Sequence, residues 1–322
     1  MATYKEINGQ KIQNVSSDPP APFNGQVWYN STSGALKAKA SIQVAAWSTG
    51  GALNTARTVL AGAGTTTAAL AFGGETPGND TESYNGSNWT EVNDLNTSRV
   101  LLAGAGTQTA ALGFGGYNPP GSALSVTETW NGTNWTEVND LGTARNYIAG
   151  DGTNTAALAF GGSPSPGNIT GATESWNGTN WTAVTALNTA RWVLAGAGTT
   201  TAALAFGGAA PFPTATAVTE LWNGSNWTEV NDLNTARKLY GGGSGTSTSA
   251  LAYGGGPYTA VTESWNGTNW TEISDLGTAR YGMGTAGTSN TSALAFGGYG
   301  GQSLTEEYGV GPVAAVVTIT TS

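Results

Sequence analysis

Carboxylates are the most reactive side chains on offer in this chain of 322 residues, which has 20 Asp and Glu and neither His nor Cys. The commonest general base and metal ligand are therefore missing, together with every thiol nucleophile, thiolate site and disulfide. What remains is chemistry between two carboxylates, one giving a proton and the other taking it or attacking, as in a glycan-active enzyme. Such a pair needs two acids of unlike character in one pocket. Fourteen of the acids recur instead at equivalent positions: Glu82, Glu128, Glu174, Glu220, Glu263 and Glu306, then Glu91, Glu137, Glu229 and Glu272, then Asp94, Asp140, Asp232 and Asp275. Glu75, Asp80 and Asp151 are the ready candidates outside them. The six arginines, Arg57, Arg99, Arg145, Arg191, Arg237 and Arg280, recur in the same way. The plain reading is a set of Arg–Glu pairs tying each repeat to itself or to its neighbour. The sharper one is a central anion or metal site. We expect no catalytic residue, no metal ligand and no cofactor.

These charges belong to a unit written six times. Successive arginines lie 42, 46, 46, 46 and 43 residues apart. Between them come an AALAFGG run, a TESWNG run and a NWTEV run, and a Trp stands ten residues before every arginine: Trp47, Trp89, Trp135, Trp181, Trp227 and Trp270. Each unit reads as four short strands, in the first case Val59 to Ala63, Ala68 to Phe72, Glu82 to Asn85 and Trp89 to Val92. Asn-Gly between the last two is the signal of a tight hairpin with positive φ. A period of about 45 residues with four strands implies the blades of a propeller.

The phase of the repeat predicts closure. The chain enters on Trp47, a fourth-strand landmark, and leaves the last unit after Tyr308, a third-strand landmark. Pairing those two segments removes an open edge. The expected fold is all-β, a six-bladed propeller at residues 41–311 with an attachment segment at 1–40 and a β-prone tail at 312–322. Arg, then Gly-Gly, then Glu-x-aromatic, then Trp resembles the kelch repeat over some 270 residues. Kelch enzymes of the galactose-oxidase type need His, Tyr and a Cys-linked Tyr around copper, so the resemblance implies the fold without that activity. The sialidase-type Asp box is absent as well. Asp151 stands where other units have Ala63, Ala105, Ala197 and Ala286, so this inner-strand carboxylate either faces channel water or holds a cation.

The flanks differ in kind. A short alternating piece from Tyr4 to Val15 and a Pro-rich linker, Asp18 to Pro22, precede Gly25–Lys37, which reads as a hairpin turning at Ser31 to Gly34. That segment resembles one found near the N-termini of bacteriophage tail-fibre and other virion proteins. The resemblance implies a virion component attached to other virion proteins through its N-terminal segment. MATYKEINGQ has no apolar core of a signal peptide, so synthesis in the host cytoplasm is expected. No stretch approaches eighteen apolar residues, and a formal net charge of −9 opposes nucleic acid and anionic membrane. The tail VAAVVTITTS suits an added edge strand or pairing with a neighbour, so a homo-oligomer is open.

Eighteen of the 30 aromatics occupy landmark positions and belong to the core, and four lie in the N-terminal segment. The other eight are Tyr117, Phe212, Tyr258 and Tyr299 in second-to-third-strand loops, and Tyr147, Trp192, Tyr240 and Tyr281 just after an arginine. In an up-and-down blade both places share one face. The variation between units falls there too: Thr58, Val100, Asn146, Trp192, Lys238 and Tyr281 follow the arginines. Aromatics with Gly, Ser, Asn and Pro in loops compose a recognition surface. We therefore expect these eight, with Asn146 and Lys238, to contact a host-surface glycan or protein. An intracellular kelch-type interaction scaffold is the alternative, and a glycan-active enzyme the third reading.

Overall fold

The computed structural model describes residues 12–75, 78–300 and 303–319. Residues 4–11 of the alternating piece lie outside that range. All the described elements are strands. The chain forms two compact units, one drawn from Met1–Ala46 and Val310–Ser322 and the other from Trp47–Gly309. The expected boundaries at 40/41 and 311/312 fall inside two uninterrupted strands, Ala35–Thr49 and Thr305–Thr318.

In the smaller unit, Val27–Asn30 pairs antiparallel with the start of Ala35–Thr49, Asn30 opposite Ala35, which puts the turn at Ser31–Gly34. Asp18 organises the hairpin. It accepts from the Trp28 indole at 3.0 Å, the Asn30 amide at 2.7 Å and the Lys37 ammonium at 2.7 Å. These donors hold its carboxyl down at about 2, the Lys37 bond contributing most. Asn30 in turn accepts from the Thr32 and Ser33 amides, closing the turn. The Trp-Tyr-Asn string is thus a scaffold around one carboxylate.

In the larger unit the first sheet runs Ala61–Gly64, Ala69–Phe72, Thr81–Tyr84 and Trp89–Val92, each strand antiparallel to the next. Four more four-stranded sheets repeat it, and the sixth repeat's strands, Gly284–Ser289 and Ser292–Phe296, join a sheet that continues through Thr305–Thr318 and Ala35–Thr49. The first strands follow one another as neighbours from Ala61–Gly64 through Ala103–Thr107, Ala149–Thr153, Ala195–Thr199 and Gly243–Thr246 to Gly284–Ser289, which lies against Ala61–Gly64 in turn. This is the architecture of a β-propeller.

The packing follows from alternation in the second strand. Leu70 and Phe72 pack with Leu102, Trp130 and Trp135 of the next sheet, while Ala69 and Ala71 pack with Trp89, Leu294 and Phe296 on the other face. Both faces are buried, so every sheet is core to two neighbours. The landmark Phe, together with the backbone of the neighbouring first strand, dictates the glycine of the first strand. A Cβ on Gly62 would stand 2.5 Å from Phe296 Cζ, and one on Gly104 2.7 Å from Phe72 Cζ. Each outer Trp reaches back one sheet: Trp135 Nε1 donates to Thr81 Oγ1 at 3.1 Å, Trp89 to Thr305 and Trp47 to Thr262. The Asn-Gly turns are gripped as well, the Asn93 amide donating to Asn134 Oδ1 and Thr133 O of the following sheet.

The arginines and glutamates pair inside their own sheets: Arg57–Glu82 at 2.9 Å, Arg99–Glu128 at 3.0 Å, Arg145–Glu174 at 2.8 Å, Arg191–Glu220 at 3.0 Å, Arg237–Glu263 at 2.8 Å and Arg280–Glu306 at 3.2 Å. All twelve residues are buried. The fork of Arg99 also donates to the Gly113, Gly115 and Val126 carbonyls. Glu128 accepts from the Asn96 and Thr97 amides, so the chain entering each sheet is stitched to its third strand. The arginine's own carbonyl takes the N–H of the second glycine of the preceding sheet, Gly74 to Arg99 at 3.1 Å and Gly298 to Arg57 at 2.9 Å. Burial pulls the Arg99 and Arg191 guanidinium groups down to about 10, against the pull of their glutamates, and both stay charged at neutral pH.

One substitution among the repeats shows how the carboxylate is sealed. Where Asn54, Asn96 or Asn234 stands, its side chain covers the glutamate and bonds it at 2.8–3.0 Å. Gly142 and Gly277 offer only the backbone amide, and there Glu174 and Glu306 are 4% and 3% exposed against 0% for the other four.

Arg145→Ala should leave the Glu174 carboxylate buried without its counter-charge. The expected loss in urea melts is about 3–5 kcal/mol. A loss below about 1 kcal/mol, the range of a solvated pair, would contradict the stitching role.

Candidate functional site

The site grows out of the arginine. Its side chain and carbonyl are both committed, so the next two residues are delivered to the same place in every sheet. The first of them bridges the residue after Gly-Gly: Val100 to Tyr117, Asn146 to Ser163, Trp192 to Ala209, Lys238 to Gly256 and Tyr281 to Tyr299. The two variable segments of each repeat therefore lie side by side on one face.

A residue held at positive φ follows: Val59 at 52°, Leu101 at 58°, Tyr147 at 52°, Val193 at 51° and Gly282 at 65°, each second after its arginine, and Tyr240 at 51°, third after Arg237 because Leu239 is inserted there. For a β-branched or bulky side chain this is an uncommon and strained region. The compensation is a chain of backbone bonds between sheets. Val59 N donates to Gly282 O at 2.6 Å, Leu101 N to Val59 O at 2.9 Å, Tyr147 N to Leu101 O at 3.0 Å, Val193 N to Tyr147 O at 3.2 Å and Tyr240 N to Val193 O at 2.9 Å. This turn corrects one expectation. The first strand starts at Ala61 rather than Val59, because residue 59 bonds sideways to the next sheet instead of along its own.

Seven of the eight expected aromatics form one run of touching rings. Phe212 lies 4.9 Å from Trp192, Trp192 4.5 Å from Tyr147, Tyr147 6.0 Å from Tyr240 and Tyr240 5.1 Å from Tyr281. Tyr281 contacts Tyr258 at 5.1 Å and stacks on Tyr299 at 4.9 Å. Tyr117 lies on the same face, bridging Val100 and Ala123, outside that run. Phe212 and Tyr258 are the exposed ends, at 49% and 54%, and the rings between are half-buried. Asn146 and Lys238 are half-buried beside them. Trp192 Nε1 has no hydrogen-bond partner. Burial pushes the Tyr240 phenol up to about 12, and burial with a bond to Glu75 does the same to Tyr299, so both remain donors at neutral pH.

The three carboxylates singled out as possible catalysts are kept apart in role. Glu75 accepts from Thr58 Oγ1 at 2.7 Å and from the Tyr299 hydroxyl. Asp80 passes its backbone carbonyl to Arg57. Asp151 lies in a channel of about 170 Å³ between the first strands, whose lining includes neither of the others. Its Oδ2 is buried without a partner, and burial alone raises its pKa well above the ordinary value. No group of three or more acidic side chains placed to hold a metal occurs among the described residues.

The sequence reading missed the positive-φ residues, since nothing in Val, Leu or Tyr signals that conformation. It missed the Trp–Thr bonds too, although a Thr precedes the landmark Glu in all six repeats. No protein-family profile matches this sequence. No curated protein matches it either. Among solved structures it is similar to YjhT, with a TM-score of 0.68 and 12% identity over 84% of this chain and 99% of that one. At that identity the likeness is one of fold, a β-propeller.

A carboxyl whose folded pKa lies above its unfolded one binds its proton longer in the native state, so stability falls as pH rises from about 4 to the folded value. In a buffer whose only cation is bulky, the parent should lose thermal stability over that window relative to Asp151→Asn. Parallel melting curves for the two proteins from pH 4 to 9 would contradict the desolvated carboxyl.

Proposed function

We propose that the six sheets are the blades of a closed, six-bladed propeller of kelch type, and that the chain is a non-enzymatic adhesion component of a virion. Closure is supported by the bonds that join the sixth repeat to the first, Gly298 to Arg57 and Val59 to Gly282, and by Trp47 standing in for the missing outer Trp. The N-terminal hairpin folded around Asp18 supplies the attachment to other virion proteins. The aromatic face reads a host-surface glycan or protein.

The observation that carries this reading is the run of seven rings on the variable face. Thr58 and Val100 occupy the place of Trp192 and Tyr281 in other repeats, so the backbone there does not require a large ring. Rigid amphipathic rings exposed at no demand of the fold are what a binding surface needs. The non-enzymatic reading is supported by Asp151 lying in a channel that neither Glu75 nor Asp80 lines.

Replacing Trp192 and Tyr281 by Thr should lower stability by only about 1–2 kcal/mol for each half-buried ring. Each change should remove about 2 kcal/mol or more of binding, as interface aromatics do. The assay is adsorption of the purified chain to host cells and to a glycan array, with Ser87→Ala in an exposed turn as the control. A double variant that binds like the parent, or that unfolds, would put these rings in the core and remove them from recognition.

A further inference from the structure

We propose that the channel between the first strands is a binding site for one singly charged cation, an alkali-metal ion or a primary ammonium group. The Asp151 carboxylate and the backbone carbonyls of the strand edges would hold it. Each first strand ends its sheet, so one edge of each has no ladder partner. Residues of all six line the same channel. Unpaired backbone groups in such a place require water or a ligand. The space, about 170 Å³, exceeds the roughly 30 Å³ share of one water.

Asp151 makes the channel specific. The same position carries Ala63, Ala105, Ala197 and Ala286 elsewhere, so the fold is satisfied by a methyl group. Asp151 instead presses Oδ2 against the neighbouring strand, where a Cβ on Gly196 would come within 2.3 Å of it, and that oxygen finds no donor. Asp151 is half-buried, with one carboxylate oxygen closed off from solvent and unpaired, which is costly for an ionised group, and a cation in the channel offsets that cost. Among the described residues no other charged side chain lines the channel, and the phenols of Tyr147 and Tyr240 are its remaining titratable groups. One negative charge balances one positive charge. A divalent ion would keep a net charge in a desolvated space and would seek several carboxylates. The ring faces of Tyr147 and Tyr240 can favour a cation on entry.

The test is thermal melting and calorimetric titration of the full chain at pH 8 in a bulky-cation buffer. Sodium, potassium, ammonium and propylammonium chlorides are compared with choline and calcium chlorides at equal ionic strength. At least one small monovalent cation should raise the Tm saturably over choline. The alkali and ammonium arms tell which source supplies the cation. Asp151→Ala, which restores the residue of four other repeats, and Asp151→Asn should each weaken that binding at least tenfold. Ser87→Ala, in an exposed turn away from the channel lining, should leave it unchanged. A Tm rise equal in the Asp151 variants, calcium alone acting, or no monovalent cation acting would overturn the proposal.

Discussion

The landmark arginine is the node through which this fold is assembled. Its guanidinium binds the glutamate of the third strand and the carbonyls around Gly-Gly, which closes one sheet. Its carbonyl takes the glycine N–H of the sheet before, which joins two. A buried pair of this kind is weak evidence for net stability, since desolvation offsets most of the attraction. Its worth lies in geometry. A planar fork with several acceptors in fixed places admits one position for the entering chain. Each arginine Nε is left buried without a partner, so the arrangement is tolerated at some expense for the register it imposes.

That register separates framework from face. Up to the arginine, every repeat is constrained by the glutamate, the landmark Phe and the outer Trp. Immediately beyond it the constraint passes to the backbone, through the positive-φ residues and their bonds to the next sheet. Side chains at residues 58, 100, 146, 192, 238 and 281 then vary freely in an invariant place. The rings of Tyr147, Trp192, Tyr240 and Tyr281 come from four successive repeats, 41–48 residues from one to the next, yet meet because the segment after each arginine is delivered by the same device.

Much of this is legible in the sequence. The repeat, the strand pattern, the Arg–Glu pairing and the shared face of the eight aromatics all follow from spacing and alternation, which are local signals. What escaped was decided between sheets. Positive φ at Val59 and Val193 runs against the preference of both residues and exists because a neighbouring carbonyl rewards it. The glycine at Gly62 is required by the Thr285 backbone and the Phe296 ring, both far away in the chain. The two compact units part at 46/47 and 309/310, inside Ala35–Thr49 and Thr305–Thr318, where alternation continues and a strand that changes unit leaves no mark on composition. That Asp151 lacks a partner is likewise invisible from sequence, since it depends on what the next strand presents.

The central claim is that a rigid framework displays one aromatic face for recognition. It is tested most directly by hydroxyl-radical footprinting of the chain, free and bound to host cells. The account predicts protection of Phe212, Tyr258, Trp192 and Tyr281 on binding, with the two exposed rings changing most. Residues around the Asn-Gly turns should oxidise equally in both states. Protection centred on those turns, or on the N-terminal hairpin with the aromatic run untouched, would contradict it.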